Sequence, residues 1–138
     1  MSDSKAPLKP LPKPVHWDVE FWNAARRGEL VVQKCIECGH LQHYPRPACA
    51  NCWSDMIEWI PLSGRGRIHS FTVVRIPQHP AFKDEAPFTM IEVELDEGVR
   101  IISRLTEEPE EPVQVGARVE VVFVPTHDEA IHLPYFRL

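Results

Sequence analysis

Two Cys-x-x-Cys pairs, Cys35/Cys38 and Cys49/Cys52, constrain this 138-residue chain more than any other feature. Two intervening residues let both sulfurs of a pair turn toward one point, and two such knuckles complete a tetrahedron around one ion. Gly39 follows the first pair, where positive φ is often required. An all-thiolate shell favours zinc or iron. Four unligated buried thiols are the alternative, but two such pairs in one short stretch rarely arise without metal. His40 and His43 lie nearby as substitute ligands; with four sulfurs filling the shell, they are expected at the surface or in packing. A filled shell leaves no open position, so the metal is expected to build structure and not to react. Binding in small zinc peptides is worth about 10–16 kcal/mol, enough to hold together a ribbon with almost no core.

The remaining chain divides around this motif. Pro7, Pro10, Pro12 and Pro14 make residues 1–17 a proline-rich arm, flexible or extended, that cannot be helical. Asp18 offers an N-cap for a short helix over Val19 to Arg27, stopped at Gly28, with Arg26 and Arg27 at the favourable end of its dipole. Leu30 to Gln33 reads as a strand leading into the first cysteine pair, and the helix and ribbon together occupy 18–56. From 57 to 138 the pattern is β, with strands expected near 57–63, 66–75, 88–95, 99–105 and 118–125. Asp96-Glu97-Gly98 is a hairpin turn, 77–87 a longer loop, and Glu107 to Pro112 an acidic loop broken by proline. Five strands in so short a stretch imply a small closed barrel. An OB-fold is the leading candidate, though strand count alone does not separate it from an SH3-like barrel. The fold class is therefore mainly β: an N-terminal helix, a metal ribbon and a five-stranded barrel.

Charge narrows the function. The chain carries 15 basic and 20 acidic side chains, a formal charge of −5. The excess of acid falls after residue 60, on the barrel. General nucleic-acid binders show the opposite balance; a nucleic-acid-binding ribbon and barrel remains the alternative reading, since both modules serve that role elsewhere. No segment is apolar enough to suggest a membrane span, and the polar N-terminus lacks a signal-peptide core, so a cytoplasmic protein is expected. In that reducing compartment cysteines are ligands more often than disulfides. Catalytic signatures are missing: there is no Gly-x-Ser-x-Gly, His-Glu-x-x-His or phosphate loop.

Taken in order, several runs resemble a known family. They are Phe21-Trp22, Gly28-Glu29-Leu30, Cys35-Ile36-Glu37-Cys38-Gly39 and Pro45-Arg46-Pro47-Ala48-Cys49, then Ser63-Gly64-Arg65-Gly66, Ser70-Phe71-Thr72-Val73-Val74, Leu95-Asp96-Glu97-Gly98-Val99-Arg100 and Leu133-Pro134-Tyr135-Phe136. The family, once catalogued as a domain of unknown function, joins an N-terminal helix and a rubredoxin-like zinc ribbon to a C-terminal OB-fold. Its members occur beside thiolase-like and other acyl-CoA-metabolising enzymes, some with hydratases. One departure stands out: Trp53 replaces a turn glycine after the second knuckle, so that turn must differ or carry strain.

The resemblance implies a non-catalytic accessory subunit that binds CoA or acyl-CoA, bridges to a thiolase-like or hydratase partner, or does both. CoA needs a few cations and an apolar channel. Arg65, Arg67, His69 and Arg75 form the one locally basic stretch of the acidic half, and Phe71, Pro87 and Phe88 are candidate channel walls. Arg65, Arg67, Arg75, Phe71 and Phe88 are therefore the candidate CoA contacts, with solvated hairpin arginines and plain barrel core as the competing explanation. Trp17, Phe21 and Trp22 are candidates for docking a partner, since aromatic residues are favoured at interfaces; packing on the ribbon is the other possibility.

Overall fold

The computed structural model describes residues 8–138. The expected arm lies outside the described residues over 1–7, and 8–15 have no regular secondary structure, as their prolines dictate. The helix α1 runs Val19–Arg26. Asp18 precedes it but does not cap it: its carboxylate accepts from the Val15 amide at 2.7 Å and closes the turn before the helix instead. The other end is a Schellman stop. Gly28 has φ +83°, its amide donates to the Ala25 carbonyl at 3.0 Å, and the Glu29 amide donates to that of Ala24 at 2.9 Å. A Cβ on Gly28 would meet nothing within 4 Å, so Gly28→Ala should cost only the left-handed backbone penalty. A loss of about 1 kcal/mol in chemical denaturation is expected.

The ribbon is a small sheet of β1 (Val31–Cys35), β2 (Leu41–Gln42) and β3 (Ile57–Pro61), in the order β2-β1-β3. The segment near 57–63, expected as the first barrel strand, thus belongs to the ribbon. It pairs antiparallel with β1 from Val31–Pro61 through Cys35–Ile57, giving β1 a full-length partner on the side away from the two-residue β2.

Five strands form the barrel: β4 (Arg65–Val74), β5 (Phe88–Leu95), β6 (Arg100–Arg104), β7 (Arg118–Pro125) and β8 (His132–Arg137). Their order is β6-β5-β4-β7-β8, and neighbours run antiparallel. The two outer strands then meet in parallel at a Leu105–Phe136 bridge, where the Thr106 amide donates to the Phe136 carbonyl at 2.9 Å. This nearly closed five-stranded sheet, with β4 at its centre, is an OB-fold. Sequence reasoning missed β8 because Pro134 interrupts it. At the seam a missing N–H breaks no ladder, and the Pro134 carbonyl accepts from the Ser103 hydroxyl across the closure.

Two local features shape β4. Its register with β5 slips between Ile68 and Ser70, leaving His69 as the extra residue of a bulge. Ile68 is buried, but Ser70, Phe71 and Thr72 beyond the bulge are exposed. Gly66 lets the strands approach: a Cβ there would sit 2.4 Å from the Glu94 carbonyl oxygen and 2.9 Å from the Leu95 Cα. The core is continuous across the parts of the chain. Phe21 of α1 and Leu30 and Val32 of the ribbon pack in one cluster with Ile68, Ile91, Val93, Ile101, Leu105 and Phe136 of the barrel.

Candidate metal centre and apolar cleft

Each knuckle is a tight turn built by backbone hydrogen bonds. In the first, the Gly39 amide donates to the Cys35 carbonyl at 2.9 Å, with Gly39 at φ +79°. In the second, the Trp53 amide donates to Cys49 at 2.9 Å. Trp53 keeps the glycine-like conformation at φ +67°, so the turn is preserved and carries the strain. Its ring is 84% exposed and returns no packing energy within the chain. Trp53→Gly should therefore stabilise the protein by about 1 kcal/mol, measured as a rise in the denaturation midpoint.

The four sulfurs lie within 4.8 Å of one another, with Cys35–Cys52 at 3.5 Å and Cys38–Cys49 at 3.6 Å. A tetrahedron with metal–sulfur bonds of about 2.3 Å has edges of about 3.8 Å, so the cage fits one ion. Donors stand ready for thiolates: the Cys38 amide faces the Cys35 sulfur at 3.4 Å, the Asn51 amide faces that of Cys49 at 3.3 Å, and the Asn51 side chain faces that of Cys38 at 3.5 Å. The Asn51 side chain and the His40 backbone draw the Cys38 thiol down to about 6. At Cys52 the Ser54 backbone hydrogen bond favours the thiolate, but the crowding sulfurs of Cys35, Cys38 and Cys49 push it up to about 12. Four thiolates this close are compatible only around a cation. The four cysteines are thus positioned for metal binding, and His40 and His43 stand outside the cage.

A second site lies where the helix, the ribbon loop and the barrel seam meet. It is an apolar cleft of about 520 Å³, with Phe21, Trp22, His43 and Tyr44 on one wall and Phe82, Phe88, Ile101, Arg104 and Tyr135 among the residues of the other. Phe82 arrives on a short 3-10 helix, Pro80–Glu85, inside the expected loop. His43 packs between Phe21 and Tyr44, with ring centres 5.2 and 4.1 Å away. Burial pushes its pKa down to about 4, and its Nδ1 has no hydrogen-bond partner among the described residues. Arg104 lies over Phe88 at 4.1 Å and Tyr135 at 5.2 Å. Its Nη1 donates to Glu85 at 2.8 Å. Burial opposes charge on Glu85, but Lys9 and Arg104 outweigh it and hold the carboxyl below its usual range.

The candidate residues from the sequence separate. Phe88 and Trp22 reach the cleft. Phe21 does too, and it is 4% exposed and packs in the internal core, so within this chain its ring joins α1 to the barrel. Trp17 is exposed. Arg67 is paired with Glu94 at 3.0 Å, Arg65 and Arg75 are exposed, and Phe71 lies beyond the bulge on a shallow surface with Met90 and Ile102. None of these four lines the cleft with Phe88. Sequence reasoning missed Arg104, Phe82, His43 and Tyr44 as cleft residues. The available signal was Arg104 between the apolar residues Ile101, Ile102 and Leu105 near the end of β6.

A four-thiolate ribbon joined by a shared core to an OB-fold defines the class of protein. Residues 22–58 match the ChsH2 rubredoxin-like zinc ribbon domain and residues 59–124 the ChsH2 C-terminal OB-fold domain, and the chain belongs to this zinc-ribbon and OB-fold family. It is 35% identical over 113 residues to a "DUF35 domain-containing scaffold protein" of Methanothermobacter thermautotrophicus, covering 80% of this chain and 84% of the relative. A "Benzoylsuccinyl-CoA thiolase subunit BbsA" of Thauera aromatica is 30% identical, covering 79% of this chain and 77% of that one. A "Probable enoyl-CoA hydratase alpha subunit" of Thermomonospora curvata is 34% identical over 94% of this chain, which spans only 40% of that longer protein. Among solved structures, a chain of an "Ltp2-ChsH2(DUF35) aldolase" superposes with a TM-score of 0.81 at 31% identity, covering 92% of this chain and 98% of that one. Among the described residues no helix is long and apolar enough to cross a membrane.

Proposed function

We propose that this chain is a non-catalytic accessory subunit of an acyl-CoA-metabolising complex, that its cysteines hold zinc, and that it bridges to a thiolase-like or hydratase partner and contributes to binding CoA or acyl-CoA. The observation that carries this reading is the match over 77–84% of relatives named as a thiolase subunit and a scaffold protein. Their named roles sit on a chain of nearly this extent. The chemistry of the two sites agrees. A four-sulfur shell offers no open coordination position, and the cleft pairs aromatic walls with one engaged arginine, an arrangement suited to holding a ligand. Zinc is favoured over iron because a structural ribbon needs no redox change. Nucleic-acid binding has less support, since Arg67, Arg118 and Arg137 on the barrel are paired with Glu94, Asp96 and Glu120.

Co-expression with a thiolase-fold protein of the same organism tests the proposal. One co-eluting species is expected, whose thioester turnover depends on this chain while the isolated chain has none. Turnover by the isolated chain, or separate elution from a fully active enzyme, would overturn it.

A further inference from the structure

We infer that the apolar cleft is a site for the ring-bearing acyl end of a thioester, with its carbonyl oxygen on Arg104. The inference rests on the acyl-CoA reading above and adds which acyl group is held, where, and by what.

The volume comes first. About 520 Å³ falls within the range of small-molecule sites, roughly 300–1,000 Å³. The walls are next. Phe21, Trp22, Tyr44, Phe82, Phe88 and Tyr135 all line it, so much of its surface is aromatic. Aromatic rings stack offset or edge-on and reward flat, rigid ligands beyond simple area. A short acyl group such as acetyl would leave most of this surface uncovered.

The polar side chains that line it are Asp18, His43, Tyr44, Ser103, Arg104 and Tyr135, of which Arg104 is the one cation. The Arg104 side chain is 11% exposed, gripped between Phe88 and Tyr135. Its Nη1 is taken by Glu85 and its Nε faces the Leu105 carbonyl at 3.4 Å. Its Nη2 makes no hydrogen bond among the described residues, which leaves a donor on a side chain that lines the chamber. Glu85 pairs with both the guanidinium and Lys9, and Asp18 also lines the cleft, so a neutral carbonyl meets less like-charge repulsion there than another carboxylate does. A ring-bearing acyl thioester satisfies both halves: the ring fills the aromatic chamber, and the C=O accepts from Nη2.

The test is a calorimetric titration of the full chain with 2-naphthoyl-CoA, acetyl-CoA, CoA and free 2-naphthoate, run alone and in complex with the thiolase-fold partner. Naphthoyl-CoA should bind at least tenfold more tightly than each of the other three. Leu133→Trp, which fills the cleft, should abolish that preference, and Arg104→Gln should weaken naphthoyl-CoA about tenfold. Metal content and circular dichroism report whether each variant has folded; if Leu133→Trp has not, Met90→Phe at the same cleft replaces it with the same expectation. Equal affinity for naphthoyl-CoA and acetyl-CoA, tighter binding of the free acid, or an unaltered preference in a folded cleft-filling variant would overturn the inference. Co-elution with the partner but no binding of naphthoyl-CoA in either state sinks this inference alone. Failure of co-elution as well removes the proposed function with it.

Discussion

Replacing Cys49 by serine is expected to release the metal and unfold the ribbon. Cys49 is buried and its sulfur lies 3.6 Å from that of Cys38. A serine hydroxyl is a poor ligand for a soft site and would break the tetrahedron. Between β2 and β3 the chain has no regular element, so the metal substitutes there for a core. Most of the ion's contribution, about 10–16 kcal/mol in peptide systems, should be lost. Metal analysis should show less than about a tenth of the wild-type content, consistent with a loss of that size. Amide resonances of 35–56 should collapse toward random-coil positions. The barrel should survive with a lowered melting temperature, because it shares Phe21, Leu30 and Val32 with the damaged half. A metal-free Cys49→Ser protein with a native ribbon spectrum would show that packing alone holds the knuckles.

Gln33→Leu should be the second most damaging change. Gln33 is 3% exposed on β1 and Gln42 is 7% exposed on β2, and the pair stitches the ribbon loop shut. Gln42 donates to Gln33 Oε1 at 2.7 Å, the Arg46 amide donates to the same oxygen at 2.8 Å, and Gln33 Nε2 donates to the Arg46 carbonyl at 2.9 Å. Gln42 in turn donates to the Ala48 carbonyl at 3.2 Å and accepts from the Ala50 amide at 2.9 Å. Leucine matches the volume but strands the Arg46 amide and carbonyl and removes one partner of Gln42. Buried groups left unpaired cost about 1–3 kcal/mol each, so a loss of about 3 kcal/mol in urea unfolding is expected. Gln33→Glu should be milder, since it keeps an acceptor for both donors. Equal stability of Gln33→Leu and wild type would mean that water reaches these groups freely.

How far the sequence revealed this structure depends on the kind of signal. The cysteines were legible because ligand spacing is local and nearly geometric. Strands β4 to β7 were legible because alternation and the Asp96-Glu97-Gly98 turn are local too. Which sheet a strand joins is not local: Ile57–Pro61 has a barrel-like sequence, yet β1 supplies its partner. Pro134 hid β8, since a proline is tolerated only where the neighbouring edge is open, and edges are known only from the assembled sheet. Beyond the bulge at His69, Phe71 pairs with the buried Ile91 yet is itself exposed, which strand alternation alone does not reveal. The cleft was illegible for the same reason. Its walls come from residues 21–22, 43–45, 82–90, 101–104 and 133–135, which no single stretch announces. Gln33 and Gln42 look like ordinary surface residues until their burial is seen.

The central claim is that a metal-built ribbon and an OB-fold form an assembling subunit. The most direct test is size-exclusion chromatography with in-line light scattering and metal analysis on the chain co-expressed with a thiolase-fold enzyme of the same organism. The account predicts one complex holding one zinc ion per copy of this chain, with thioester turnover falling at least tenfold when the chain is omitted, a barrier change of about 1.4 kcal/mol or more. Separate peaks, with the enzyme fully active alone, would contradict it.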